Sequence, residues 1–248
     1  MMHDDVAFII PSRLGSTRLP KKALARIGEK SMIEHVVSGL KSIAGNNLYV
    51  ATDSAEIASC AEKAGGIAIM TDEACPSGSD RTFEAFKKLP NHDKIQYIVN
   101  IQGDMPFVGA KVVADVVTML KTDKYEIVTP AVKVGKDIAG SDSNVKIVVD
   151  SNNRAMYFSR SIIPHGADEF LYHVGIYGYK KEALEKFINM EPSIYEQTEK
   201  LEQLRALENG MSIGVCLSQE IPISVDTEED LAKAKDYYNT YKLGKLDS

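Results

Sequence analysis

The chain has 248 residues, 44% hydrophobic and 26% charged, with 29 Lys and Arg against 35 Asp and Glu and a formal net charge of −6. This fits a folded globular protein of one large domain, or one with a small appendage, and argues against the broad basic surface that general nucleic-acid binding requires. No apolar run approaches the roughly 20 residues that cross a bilayer, so no membrane insertion is expected. The acidic start MMHDD does not read as a secretory signal. Cys60, Cys75 and Cys216 are widely spaced and never form CxxC, against a disulfide framework or zinc site and in keeping with a cytoplasmic protein.

Taken in chain order, VAFII (6–10) predicts a strand. A helix over 31–43 places Met32, Val36, Leu40 and Ile43 on one face. LYVAT (48–52) is a second strand, after which Ser54 caps a helix that Gly65-Gly66 ends. IAIM (67–70), YIVNI (97–101), IVTPAV (127–132) and KIVVD (146–150) extend the strand series, with helices near 80–88 and 110–121 between several of them. Alternation of this kind predicts an α/β fold with a mainly parallel central sheet and helices on both faces. Residues 133–143 read as a loop, 151–200 as shorter inserted pieces, 193–208 as one long helix and 227–241 as the last.

Ligands of open α/β sheets gather outside the carboxyl ends of the strands. The segment after the first strand, PSRLGSTRLPKKAL (11–24), carries Arg13, Arg18, Lys21 and Lys22 with no acid among them. Gly15 and Ser16 permit a turn whose N–H groups cradle anionic oxygens, and arginine and lysine add phosphate donors. A solvated basic loop is the bland alternative. Neither GxGxxG nor GxxxxGK[ST] occurs. At 97–107, YIVNIQGDMPF ends a strand in Gln-Gly-Asp, presenting Asp104 either as an ordinary turn residue or as a Mg²⁺ carboxylate. A second carboxylate is available in PISVDTEEDL (222–231): Thr227 and Asp230 resemble a capping box, which leaves Asp226 for other work, although structural helix-start duty is the default for an isolated Asp there.

PSRLGSTRLPKKAL, SGSDR (77–81), QGD (102–104), YFSRSIIP (157–164), HVGIYGY (173–179), LEQLR (201–205) and VDTEEDL (225–231) occur in one order that resembles the 3-deoxy-manno-octulosonate (Kdo) cytidylyltransferase family almost end to end. The resemblance implies a Rossmann-like nucleotidyltransferase fold, a single domain over 1–248. Within it, roughly 1–132 would bind nucleotide, and roughly 144–210 would form a smaller inserted region for sugar binding and dimer contact. It also implies Mg²⁺-dependent attack of the sugar's anomeric hydroxyl on the α-phosphorus of CTP, with release of pyrophosphate, in lipopolysaccharide biosynthesis, and a homodimer. By position, Arg13 and Lys22 match phosphate-gripping residues, with Ser16 and Arg18 in the same motif. Ser77, Gly78, Asp80 and Arg81 match the nucleotide segment, and Asp104 and Asp226 the Mg²⁺ carboxylates. Gln102, Arg160, His173, Tyr177, Glu202 and Gln203 match positions around the acidic sugar. The chain departs from the family where Lys21-Lys22-Ala23 replaces the common Gly-Lys-Pro, and where the stretch from Pro164 to His173 is short.

The chemistry is coherent: attack on a polyanion is opposed by charge, so catalysis is mostly positioning and neutralisation. Arg160 suits a forked grip on the sugar's carboxylate or a structural salt bridge, and His173 either a sugar contact or a buried, satisfied role. On a continuous helix Glu199, Glu202 and Gln203 share a face, with Leu201, Leu204 and Leu207 on a core stripe. Competing readings are the same transfer to 8-amino-Kdo or a nonulosonate, and a catalytically silent nucleotide-binding module. A glycosyltransferase is disfavoured by the absence of Asp-x-Asp at the QGD strand end.

Overall fold

The structure is a computed structural model that describes residues 3–16 and 18–246. Strand β1 (Val6–Pro11) is buried along its whole length, as its unbroken apolar run requires. After the basic segment and a 3₁₀ turn (Lys22–Leu24) comes a hairpin, β2 (Arg26–Ile27) and β3 (Lys30–Ser31), too short to leave a sequence period. Helix α1 (Met32–Ala44) buries Met32, Ile33, Val36, Val37 and Leu40, and a reciprocal Ser31–Glu34 capping box starts it. β4 (Leu48–Thr52), α2 (Ala55–Lys63), β5 (Ile67–Met70), α3 (Gly78–Lys87), β6 (Tyr97–Ile101), α4 (Ala110–Leu120) and β7 (Ile127–Val134) follow. Ser54 caps α2 by accepting from the Ile57 amide. The remaining elements are α5 (Lys136–Ala139), β8 (Lys146–Val149), β9 (Ala155–Ser159), β10 (Phe170–His173), β11 (Ile176–Lys180), α6 (Lys181–Ile188), α7 (Ile194–Glu199), α8 (Gln203–Glu208), β12 (Ile213–Ser218) and α9 (Glu228–Leu246). None of the described helices is long and apolar enough to cross a membrane.

Packing divides the chain into two compact units. The first comprises Met1–Ile95, Asn100–Ala110 and Pro222–Ser248; the second comprises Gln96–Val99 and Lys111–Ile221. In the first, β1 pairs in parallel with β4 and β4 in parallel with β5. The crossovers run through α1 and α2, as parallel strands require. A separate apolar cluster of this unit joins Leu19, Ile27, Met32, Val225, Leu231 and Ala234, with Phe107, Ile223 and Tyr238 packed against it. Gly28, at φ 60, turns the β2–β3 hairpin so tightly against α9 that a Cβ there would lie 2.1 Å from the Tyr238 ring.

In the second unit β7 pairs in parallel with β12 and antiparallel with β11 and β10. Strand β8 does not continue the parallel series as its sequence suggested; it pairs antiparallel with both β10 and β9. The cause is the tight turn after it: the Asp150 carboxylate accepts from the Asn152 and Arg154 amides, and Asn153 has φ 60. A turn this short makes a hairpin and leaves no room for a crossover helix.

Two further expectations need correcting. The 133–143 segment is not wholly a loop, because β7 runs on to Val134 with Val132 and Val134 buried and Lys133 exposed, and α5 follows. Nor is 193–208 one helix. Lys200 adopts the left-handed conformation, φ 56 and ψ 49, between α7 and α8. Arg160 takes the carbonyls of Glu199 and Lys200, and Ser159 and the Arg160 amide take the Glu199 carboxylate. The groups that would carry the helix onward are therefore engaged elsewhere, and Glu199, Glu202 and Gln203 do not share one continuous face.

Candidate active site

A cavity of about 280 Å³ in the first unit opens at the carboxyl end of β1. The loop after β1 contributes Arg13, Gly15, Ser16, Arg18 and Lys22, the start of α3 contributes Ser77, Gly78 and Arg81, and the end of β6 contributes Gln102, Gly103 and Asp104; Asp226 completes the wall. Every nucleotide-segment residue expected from the sequence lines this cavity except Asp80, whose carboxylate accepts from the Ser77 hydroxyl at 2.6 Å. The Ser77 oxygen in turn accepts from the Asp80 amide, capping α3.

Lys22 sits between the two candidate metal carboxylates. Its Nζ donates to Asp104 Oδ2 at 2.9 Å and to Asp226 Oδ1 at 2.8 Å. Arg18 reaches the other Asp226 oxygen at 3.2 Å. Burial opposes the ammonium charge, but the attraction and hydrogen bonds of Asp104 and Asp226 outweigh it and raise the Lys22 pKa above that of an ordinary lysine. The amide of Val225 also donates to the Asp104 carbonyl at 2.9 Å, tying the two acidic segments together through their backbones. At α9 the Thr227 hydroxyl and the amides of Asp226 and Thr227 donate to Asp230 Oδ2, while the Asp230 amide donates to Thr227 Oγ1. The helix start is satisfied without the Asp226 side chain, which leaves that carboxylate for the cavity.

Lys21 has φ 52, in the left-handed region where glycine is the easier residue, and its ammonium lies 3.5 Å from Glu56. The backbone thus keeps a glycine-like turn despite the lysine. Arg81 is almost wholly enclosed: it donates to Thr71 Oγ1 at 2.6 Å and pairs with Asp53 Oδ2 at 3.2 Å. The other Asp53 oxygen accepts from the Leu14 amide at 2.9 Å, so one buried carboxylate fastens the basic loop to α3. Asp53 is absent from the motif residues, and its only sequence signal is an aspartate directly after β4, at the same kind of strand end that presents Asp104. Cys75 also lines the cavity, but burial and its bond to Glu84 push its thiol up to about 11, so it offers no thiolate nucleophile at neutral pH.

The expected sugar residues other than Gln102 lie in the second unit. His173, on β10, is buried with its ring 5.3 Å from Tyr177 and 5.3 Å from Phe158. Its Nε2 is 3.0 Å from Thr129 Oγ1, which also lies 2.8 Å from the Ile176 carbonyl. A hydroxyl that gives its single proton to that carbonyl accepts from the ring, which assigns the proton to Nε2. Burial holds the His173 pKa down at about 3, so the ring is neutral and no ready proton acceptor of the usual histidine strength. Burial, then Tyr179 and Glu202, push the Tyr177 phenol well up. Gln203 is buried with its Nε2 lacking a hydrogen-bond partner. Arg160 directs its donors to carbonyls, not to a structural salt bridge: those of Glu199 (2.9 Å), Asp142 (3.2 Å) and Lys200 (3.4 Å).

Among the described residues no group of three or more His, Cys, Asp or Glu side chains could hold a metal. Asp104 and Asp226 are instead a pair, already converging on one positive charge, and Mg²⁺ is typically held by one or two carboxylates with water and substrate phosphates completing its shell. The donor set therefore fits Mg²⁺ and does not fit a closed structural metal site.

A parallel-sheet cavity with a basic loop on one wall and paired aspartates on another is the arrangement of a nucleotidyltransferase. Comparison narrows the class. The cytidylyltransferase family matches residues 7–213. A 3-deoxy-manno-octulosonate cytidylyltransferase of Rickettsia bellii is 56% identical over 243 residues, covering 98% of this chain and all of the relative, and one from Rickettsia africae is 56% identical over 245 residues. The solved structure of a CMP:2-keto-3-deoxy-manno-octonic acid synthetase complexed with CTP superposes with a TM-score of 0.89 at 33% identity, covering 95% of this chain and 99% of that one. The chain belongs to the cytidylyltransferase family, and within it to the 3-deoxy-manno-octulosonate cytidylyltransferases. It shares their fold, a mostly parallel central sheet flanked by helices.

Asp53→Ala is expected to destabilise the protein by about 3–5 kcal/mol, because it leaves the Arg81 guanidinium buried without its counter-charge. Urea unfolding of the variant measures this, and a loss below about 1 kcal/mol would show that the pair does not hold the loop. His173 gives a pH signature. Its folded pKa, about 3, lies below the ordinary value of 6.5, so the unfolded chain binds the extra proton between those limits. Its contribution is complete above pH 6.5 and is lost as pH falls, by up to about 1.4 kcal/mol per unit. His173→Gln should flatten the dependence of stability on pH between 7.5 and 5; an unchanged slope would refute the assignment.

Proposed function

We propose that the protein transfers the cytidylyl group of CTP to 3-deoxy-manno-octulosonate, forming the CMP-sugar and pyrophosphate for lipopolysaccharide biosynthesis. The observation that carries the reading is the convergence of Asp104 and Asp226 on the Lys22 ammonium, in a cavity otherwise walled by the basic loop. In this reading roughly 1–132 is the nucleotide-binding portion. Arg13, Ser16, Arg18 and Lys22 take the triphosphate, with Ser77, Gly78, Asp80 and Arg81 forming the nucleotide segment. Arg81 and Asp80 act there through the backbone they hold, since their own polar groups are engaged with Asp53, Thr71 and Ser77.

Asp104 and Asp226 hold Mg²⁺, which when bound polarises the α-phosphate and lowers the pKa of the attacking hydroxyl. The chain's own part is to orient the triphosphate with the basic loop and to offset charge on the departing pyrophosphate through Arg13 and Lys22.

The acidic sugar is assigned to Gln102, Arg160, His173, Tyr177, Glu202 and Gln203, the last five within the 144–210 portion. The orphaned Gln203 Nε2 supports this, because a buried donor without a partner is costly unless a ligand oxygen meets it. Arg160 grips the sugar carboxylate by giving up its two longer bonds, to Asp142 and Lys200. We assign a homodimer whose contact lies within 151–200, where Met156, Ile194 and Tyr195 are exposed at 62%, 75% and 52%. We place the enzyme in the cytoplasm, on the free state of Cys60, Cys75 and Cys216.

Incubating the enzyme with CTP, Mg²⁺ and each of 3-deoxy-manno-octulosonate, its 8-amino analogue and a nonulosonate, while following pyrophosphate and CMP-sugar, tests the reading. The first acid should be turned over best. Preference for another acid would reassign the substrate, and CTP binding without turnover of any would make the protein a silent nucleotide-binding module. Asp104→Asn and Asp226→Asn should each lower turnover at least about a hundredfold in saturating Mg²⁺, and Lys22→Ala should cost far more than Lys21→Ala. Equal effects at Lys21 and Lys22 would contradict the loop assignment.

A further inference from the structure

We infer that Lys22 reserves the cation seat: in the nucleotide-free enzyme its ammonium neutralises Asp104 and Asp226, and it vacates them only for a triphosphate, so that the divalent cation enters with or after the nucleotide and not before it. This rests on the assignment of Asp104 and Asp226 as the metal carboxylates.

The first support is geometric. One ammonium donates to an oxygen of each carboxylate, at 2.9 and 2.8 Å. A cation bound by both carboxylates competes for those same lone pairs, at the closer range of about 2.0–2.1 Å for Mg²⁺. Charge supplies the second. Two carboxylates meet Lys22 and, through Asp226, Arg18, so the cluster is balanced as it stands. A dication added to it would have to displace two strong charge-assisted contacts and leave both basic side chains without a counter-charge. A triphosphate removes that obstacle: Lys22 and Arg18 line the same cavity as Arg13 and Ser16, and phosphate oxygens offer them a second set of acceptors. Once they have turned to the phosphates, the two carboxylates balance one divalent cation, and the exchange conserves charge.

The third support is mechanical. Lys22 begins a three-residue 3₁₀ turn, and its ammonium is carried on a flexible four-carbon stem. Side-chain rotation alone moves the charge from carboxylate to phosphate, with no refolding of the loop that Asp53 fastens. Linkage then demands reciprocity: if nucleotide tightens cation binding, cation tightens nucleotide binding by the same factor.

Mn²⁺ is a suitable probe, with the bound fraction followed by electron paramagnetic resonance. Without nucleotide, Lys22→Met and Lys22→Gln, checked for folding by circular dichroism, should bind Mn²⁺ at least about tenfold more tightly than the wild type, while Lys22→Arg should bind as weakly as the wild type. Equal Mn²⁺ affinity of the nucleotide-free wild type and both neutral variants would overturn the inference. Adding Asp104→Asn to Lys22→Met should abolish the gained site. If Asp104→Asn weakens the wild-type complex of enzyme, CTP and Mn²⁺ but the neutral variants gain no site, the reservation by Lys22 fails while the metal carboxylates stand. If Asp104→Asn and Asp226→Asn leave that complex unchanged, the metal assignment fails and the inference with it.

Discussion

One ammonium group joins three distant stretches of this protein at its cavity. Lys22 lies 82 residues from Asp104 and 204 from Asp226 in sequence, yet its Nζ is within hydrogen-bonding distance of both carboxylates. Two negative charges brought this close repel unless a positive charge lies between them. The lysine permits the site to be assembled before any ligand arrives, and the carboxylates in turn keep the lysine protonated. Arg18 extends the arrangement by taking the second oxygen of Asp226.

Apolar packing supplies the precision that charge alone does not. Leu19 of the basic loop, Val225 beside Asp226 and Phe107 close after Asp104 belong to one cluster with Ile27, Met32 and the first turns of α9. Three distant stretches of chain are thereby held by a common set of contacts, each a few positions from the charged residue it carries. Asp53 does the complementary polar work on the other side of the loop, bonding the Leu14 amide with one oxygen and Arg81 with the other. Positioning groups of this kind determine whether a catalytic side chain is held within the tolerance that catalysis needs.

Much of this was legible in the sequence where a local signal existed. β4, β5 and β6 fall where their apolar runs end, and Ser54 caps α2 as its position before an apolar-periodic run implies. Asp104 and Asp226 were legible as candidates because one ends the Gln-Gly-Asp that follows a strand and the other follows Val225, with Thr227 and Asp230 resembling a capping box of their own. What escaped was set by tertiary partners. The split between α7 and α8 depends on Arg160 capturing carbonyls 39 and 40 residues away, and nothing within 193–208 announces it. β8 reads like its parallel predecessors, and only the turn after it decides its direction. Arg81 matches the nucleotide segment by motif and lines the cavity, but its enclosure by Asp53 and Thr71 is a fact of three-dimensional packing.

The central claim is that Lys22 couples Asp104 and Asp226 energetically, beyond merely lying near them. A double-mutant cycle on folding stability, using Lys22→Met with Asp104→Asn and again with Asp226→Asn, measures that coupling in the ligand-free protein. Coupling energies of about 0.5–3 kcal/mol are predicted for each pair. Additive losses in both cycles, with no coupling outside error, would mean that the ammonium does not hold the two carboxylates together.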